Sequence, residues 1–183
     1  MKMQKILVLT GLTLLFLGCG PSQKVIENND ALDAMVAEKK IEFRATSAQP
    51  TITNAMNQIA QSGLVAPGST INRIDLAGSS NFLKIAGDSV TADLAYYGER
   101  QLGGGYTNND SGVKFSGIPE DLVITKDEVK KSYRITFQIR EKMESFNVAM
   151  RISSNLSGNL NVTSSHRTRI SYAGTAKALA EKE

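Results

Sequence analysis

The chain has 183 residues, 41% hydrophobic and 21% charged, with a net charge of +3, one Cys, one His and no Trp. That length suits a single domain with a core of its own. One cysteine excludes an internal disulfide framework, and the absence of a basic run interleaved with aromatics excludes a nucleic-acid footprint.

The chain opens on Met1-Lys2-Met3-Gln4-Lys5, residues 6–17 are apolar, and Gly18 precedes Cys19. Spanning a bilayer takes about 20 apolar residues, so this run is too short for a transmembrane helix. A basic start, a short apolar core and a small residue make a secretory signal instead. The stretch Leu15-Phe16-Leu17-Gly18-Cys19 resembles a bacterial lipoprotein signal, with Phe16 where leucine is usual. That resemblance implies acylation of the Cys19 thiol, cleavage before it and acylation of the new amine. Several acyl chains at about 0.8 kcal/mol per buried methylene hold a protein durably. Removing Lys2 and Lys5 leaves 19 basic against 18 acidic residues, a net charge of +1. The expected division is a signal over residues 1–18, a flexible tether over 19–29, one β domain over 30–174 and a charged tail over 175–183.

The domain begins with a short helix. Asn29 or Asp30 can cap it, and Ala31, Leu32, Met35 and Val36 fall at helical spacing. Ile41-Glu42-Phe43-Arg44-Ala45 alternates and predicts a strand. Ile52, Met56, Ile59 and Ala60 predict another amphipathic turn or two before Gly63. Ile71, Ile74 and Leu76 then begin a period of two. Phe82, Leu83 and Ile85, then Gly87-Asp88, then Val90, Ala92 and Leu94 predict a hairpin. Residues 103–112 are rich in Gly and Asn and predict a long loop. Short strands follow at residues 113–116 and 122–124. Tyr133 to Arg140 gives the clearest strand, apolar at odd positions and polar at even ones. A turn near Glu141-Lys142-Met143 leads back through Phe146, Val148, Met150 and Ile152. Ser157-Gly158-Asn159 turns again into Leu160 and Val162, and Ile170 and Tyr172 complete the sheet. Residues 176–183 read as a charged, Ala-rich tail, a frayed helix at most. Eight to ten short strands of this kind predict an all-β fold with a short N-terminal helix. An antiparallel up-and-down barrel is favoured because closure removes exposed edges, with a β-sandwich as the alternative.

Several segments resemble one family. Gly87-Asp88-Ser89-Val90 and Leu94-Ala95-Tyr96-Tyr97-Gly98 come first. Gly112-Val113-Lys114-Phe115-Ser116-Gly117 and Tyr133-Arg134-Ile135-Thr136-Phe137 follow. Ser164-Ser165-His166-Arg167-Thr168-Arg169-Ile170-Ser171-Tyr172-Ala173-Gly174 closes the series. In this order, over about residues 32–174, they are similar to the bacterial envelope lipoproteins of domain of unknown function 4251. Ala95 stands where that pattern has Pro, Tyr97 where it has Phe, and residues 51–69 resemble an insert. The resemblance implies a calycin or lipocalin-like barrel, carries no known activity, and implies a lipid-anchored place in the cell envelope, at the outer membrane facing the periplasm.

No catalytic, metal or cofactor signature is present. His166 has no second His, Cys or spaced carboxylate cluster beside it in sequence. No G-x-S-x-G surrounds a serine, and the glycines at 103–105 lack phosphate-loop spacing. The adjacent acids Glu120-Asp121 and Asp127-Glu128 would point to opposite faces of a strand. The one candidate site is Tyr96, Tyr97, Arg100 and Tyr106 around the glycine loop, where aromatic faces and a guanidinium suit an amphiphilic ligand or an envelope protein. Tyr96 shares the face of Leu94 and is expected inward, Tyr97 outward. The functional expectation is a non-enzymatic, cofactor-free binding or structural module held to the membrane by its lipid anchor. The alternative is a carrier of a small apolar or amphiphilic ligand. Filling of the barrel by Phe43, Phe82, Phe137, Phe146 and Ile135 would argue against that carrier.

Overall fold

The structure is a computed structural model and describes residues 29–54, 57–58, 68–101 and 112–180. Cys19, the whole signal segment, Tyr106, the glycines at 103–105 and most of residues 55–67 lie outside the described residues.

Helix α1 spans Asp30–Ala37. Asn29 caps it, its Oδ1 accepting from the Leu32 N–H at 3.1 Å, and Asp30 and Asp33 complement the positive end of the helix dipole. Its apolar stripe of Leu32, Met35 and Val36 is buried. The strands are β1 Lys40–Pro50, β2 Ile74–Asp75, β3 Phe82–Ala86, β4 Ser89–Leu94 and β5 Val113–Gly117. They continue as β6 Glu120–Asp127, β7 Ser132–Glu141, β8 Glu144–Ser153, β9 Ser157–Ser164 and β10 Ile170–Ala178.

All the strands belong to one antiparallel sheet, in the order β5-β4-β3-β1-β10-β9-β8-β7-β6, with β2 added beside β1. From β3 to β5 and from β6 to β10 successive strands are neighbours, as the hairpin pattern predicts. The first and last, β1 and β10, pair along almost their full length. The two outermost strands, β5 and β6, are consecutive in the chain and separated only by Ile118-Pro119. They do not pair with each other. The sheet curls so that the Phe115 ring of β5 meets Phe137 of β7 edge-on at 6.1 Å and Phe146 of β8 at 5.5 Å. The fold is therefore all-β and barrel-like, drawn together at that seam by side-chain packing.

The interior is filled. Phe43, Leu83, Ile85, Leu94, Ile135, Met150, Ile152, Leu160 and Tyr172 are fully buried, with Phe115, Phe137 and Phe146 nearly so. Full burial of such side chains stabilises by about 1.5–3 kcal/mol each. Phe82 departs from expectation. Asn81, Leu83 and Ile85 take the inward register of β3, so Phe82 faces out, half-buried, with the Lys84 ammonium 4.7 Å from its ring centre.

Three boundaries also differ. β1 runs well beyond residue 45, because a bulge between Ala45 and Ser47 interrupts its alternation without ending the strand. Gly174 lies opposite that bulge, where any Cβ would run into the Arg44 backbone. β10 continues through Thr175 to Ala178, and Ala176, expected in the tail, is buried opposite Phe43. Ser157 and Gly158, expected in a turn, already belong to β9, and the turn falls on Ser154-Asn155, closed by the Leu156 N–H donating to the Ser153 carbonyl at 2.9 Å.

Candidate functional site

The strands end at two mouths. One, where β1 begins and β10 ends, is covered by α1. The other receives the segment after β4 and the segment between β9 and β10, and holds the nominated tyrosines.

The inward register of β4 runs Val90, Ala92, Leu94 and continues to Tyr96. The chain then leaves the sheet under tight control. The Ala95 N–H donates to Asn81 Oδ1 at 2.6 Å, and the buried Tyr172 hydroxyl donates to the Ala95 carbonyl at 2.8 Å. Burial pushes the Tyr172 phenol up, far from ionising. The Tyr96 hydroxyl lies 2.8 Å from Thr168 Oγ1, within reach of the Thr168 and Glu99 carbonyls. Burial raises its pKa as well, partly offset by Thr168 and Arg167. Beyond it the backbones of residues 99–101 and 166–168 pair, with Thr168 N–H donating to Glu99 O at 3.0 Å and Gln101 N–H to His166 O at 2.8 Å. Gly98 is packed so tightly against the Tyr96 phenol and Thr168 Oγ1 that no Cβ fits.

Beneath this segment lies a nearly buried ion pair. The Arg167 guanidinium grips Glu144 along one edge, Nε to Oε1 at 2.8 Å and Nη2 to Oε2 at 3.0 Å. Its Nη1 donates to the Gly112 carbonyl at 2.7 Å, and its plane sits 5.2 Å from the Tyr96 ring centre. The Ser164 hydroxyl donates to the same carboxylate. Burial alone would raise the Glu144 pKa, but the bonds from Arg167 and Ser164 outweigh it and hold the carboxyl below its usual range.

The nominated residues thus divide. Tyr96 points inward and braces two loops. Tyr97 points outward and is 39% exposed. Arg100 is exposed and aligned by a backbone bridge to Arg167, and Tyr106 lies outside the described residues. His166 is partly exposed between β9 and β10, its Nδ1 2.7 Å from the Ser165 hydroxyl. No cluster of three potential metal ligands occurs among the described residues. Sequence reasoning missed Arg167 and Glu144. A signal existed: Glu144 shares the even register of Phe146, Val148, Met150 and Ile152, and so had to face inward.

A filled, antiparallel, barrel-like sheet with a polar brace at one mouth is a β-fold class shared by many functions. The chain matches the family model described as Domain of unknown function (DUF4251) over residues 23–176 and belongs to that family. It is also similar to the crystal structure of a DUF4251 family protein from Bacteroides eggerthii DSM 20697. The TM-score is 0.55 at 12% identity, covering 81% of this chain and 86% of that one. No curated protein matches.

Proposed function

We infer that this protein is a lipid-anchored, non-catalytic module of the bacterial cell envelope that binds a partner or holds a structural position. The observation that carries the reading is the sequence pattern from the basic start through residues 6–17 to Gly18-Cys19. Two features of the fold support the non-catalytic part. The polar groups gathered at the loop mouth are committed to bracing, with Tyr96, Glu144 and Ser164 all bonded within the protein. The interior is packed with Phe43, Ile135, Phe137 and Phe146, which weighs against a ligand carried inside the barrel. Metabolic labelling with a clickable fatty acid tests the anchor. Wild type should take up label and Cys19→Ser should not, and equal label in both would overturn the reading.

A further inference from the structure

On the outer face of β6 to β10 the sheet forms a shallow groove of about 450 Å³. One row across it runs Val123, Thr136, Ala149, Asn161, Ser171, each the cross-strand partner of the next. A second row runs Gln138, Asn147, Thr163. Ala149, small between Thr136 and Asn161, makes the floor.

We propose that this groove binds a neutral oligosaccharide. A face serving only as a solvated surface usually carries many Lys and Glu. This groove has neither, and its charged lining residues are one acid and one base, Asp121 and Arg169. Five of the other lining residues, Thr136, Gln138, Asn147, Asn161 and Thr163, carry amides or hydroxyls, which offer donor and acceptor side by side, as vicinal sugar hydroxyls require. Part of the array is already fixed. Asn161 Oδ1 accepts from Arg169 Nη2 and from the Ser171 hydroxyl, each at 2.7 Å, and Asn161 Nδ2 donates to Asn159 Oδ1 at 2.9 Å. The side-chain amides of Gln138 and Asn147 make no hydrogen bond among the described residues, which leaves them available to a ligand. Val123, 53% exposed, and Ala149 supply apolar contact for the C–H face of a sugar ring. A peptide strand would add at a free sheet edge, whereas β7, β8 and β9, which supply most of the lining, are each paired on both sides.

The site lies on the outer face of the sheet, sharing only Arg169 with the loop mouth, and does not depend on the anchor, so failure of the Cys19 labelling leaves it standing. Calorimetric titration of the full chain tests it. The probes are neutral trisaccharides of glucose, mannose, galactose and N-acetylglucosamine, up to roughly 10 mM, beyond the weak millimolar range. At least one should bind saturably. Ala149→Gln, which fills the floor, and Gln138→Ala should each weaken it at least tenfold at unchanged melting temperature, while Lys142→Ala in the β7–β8 turn should bind as wild type. No binding by any sugar would overturn the proposal. So would undiminished binding in both groove variants, or equal binding of tri-alanine or oligoglutamate.

Discussion

The two mouths of the barrel are closed by opposite means. At one, α1 lays Leu32, Met35 and Val36 over the core. Its polar ties sit at the rim: Lys126 reaches Asp33 at 3.1 Å, the Tyr133 hydroxyl donates to Asp33 at 2.7 Å, and Asn29 Nδ2 donates to the Ser154 carbonyl at 2.6 Å. At the other, two irregular segments with few apolar residues are clamped by Arg167, Glu144 and Tyr96. The side chains of Arg167 and Glu144 are 4% and 13% exposed, against 29% and 37% for Lys126 and Asp33. The apolar seal needs little from its ion pair. The polar seal has burial working against it and depends on every partner being present.

Breaking the polar seal should give one of the largest effects in the molecule. Glu144→Ala leaves the Arg167 guanidinium buried without its carboxylate and should cost about 3–5 kcal/mol in denaturant melts. That would rival emptying the waist by Phe137→Ala, also about 3–5 kcal/mol. Outward-facing Gln138→Ala should stay within about 0.5 kcal/mol. The pair Glu144→Leu with Arg167→Met should recover much of the loss, because it removes both charges together. A cost below about 1 kcal/mol for Glu144→Ala, the range of exposed pairs, would erase the contrast between the mouths.

Tyr96 is next. Tyr96→Phe keeps the ring and loses the hydroxyl that joins Thr168, an expected cost of about 0.5–1.5 kcal/mol. Gly98→Ala should damage the same brace by forcing the phenol and Thr168 apart. Unchanged melting in both variants would show the loops are held by something else. Tyr96 would then return as a surface free to contact a partner.

The difference in legibility between the mouths has a physical cause. The helix end could be read locally: Asn29 caps, and Leu32, Met35 and Val36 recur at helical spacing. The β3–β4 hairpin and the odd register of β7 were equally plain, because alternation and a Gly-Asp turn are short-range signals. The clamp was not, because Arg167 and Glu144 are 23 residues apart and a charged residue in a loop looks solvated. Parity marks the polar residue at each mouth. Glu144 continues the inward set of β8, and Lys126 continues Leu122 and Ile124 on β6. Parity does not reveal the partner. The groove was hidden for a related reason, since its rows exist only once five strands are in register.

Acid should separate the mouths less sharply. The folded pKa of Glu144 is depressed, so the carboxylate contributes stability above its ordinary value of about 4.3. That contribution is lost as pH falls through the lower folded value. The pKa of Asp33 is lowered too, first by the Tyr133 hydrogen bond and then by Lys126, so its sign is the same. Stability measured from pH 6 down to pH 3 should therefore fall, and Glu144→Gln should flatten that limb more than Asp33→Asn. Equal flattening would mean that burial makes no difference to the two carboxylates.

The smallest effect is expected at the helix. Lys126→Ala removes the ammonium from Asp33 and from the Tyr133 ring, 5.5 Å away, yet leaves the Tyr133 hydroxyl bond and the whole apolar stripe in place. Exposed pairs are screened by salt and contribute little. Global melting should move far less than for Glu144→Ala, and less still at high salt. The Lys126 pKa is raised chiefly by its hydrogen bond to Asp33. Its contribution is thus fully present below the unfolded value near 10.4 and disappears as pH rises through the folded value. Loss of the tie should instead appear locally, as faster hydrogen exchange at α1 amides while the β7 and β8 amides keep their protection. A global loss matching that of Glu144→Ala would show that the helix is seated by charge. The contrast between an apolar and a polar seal would then fail at its apolar end.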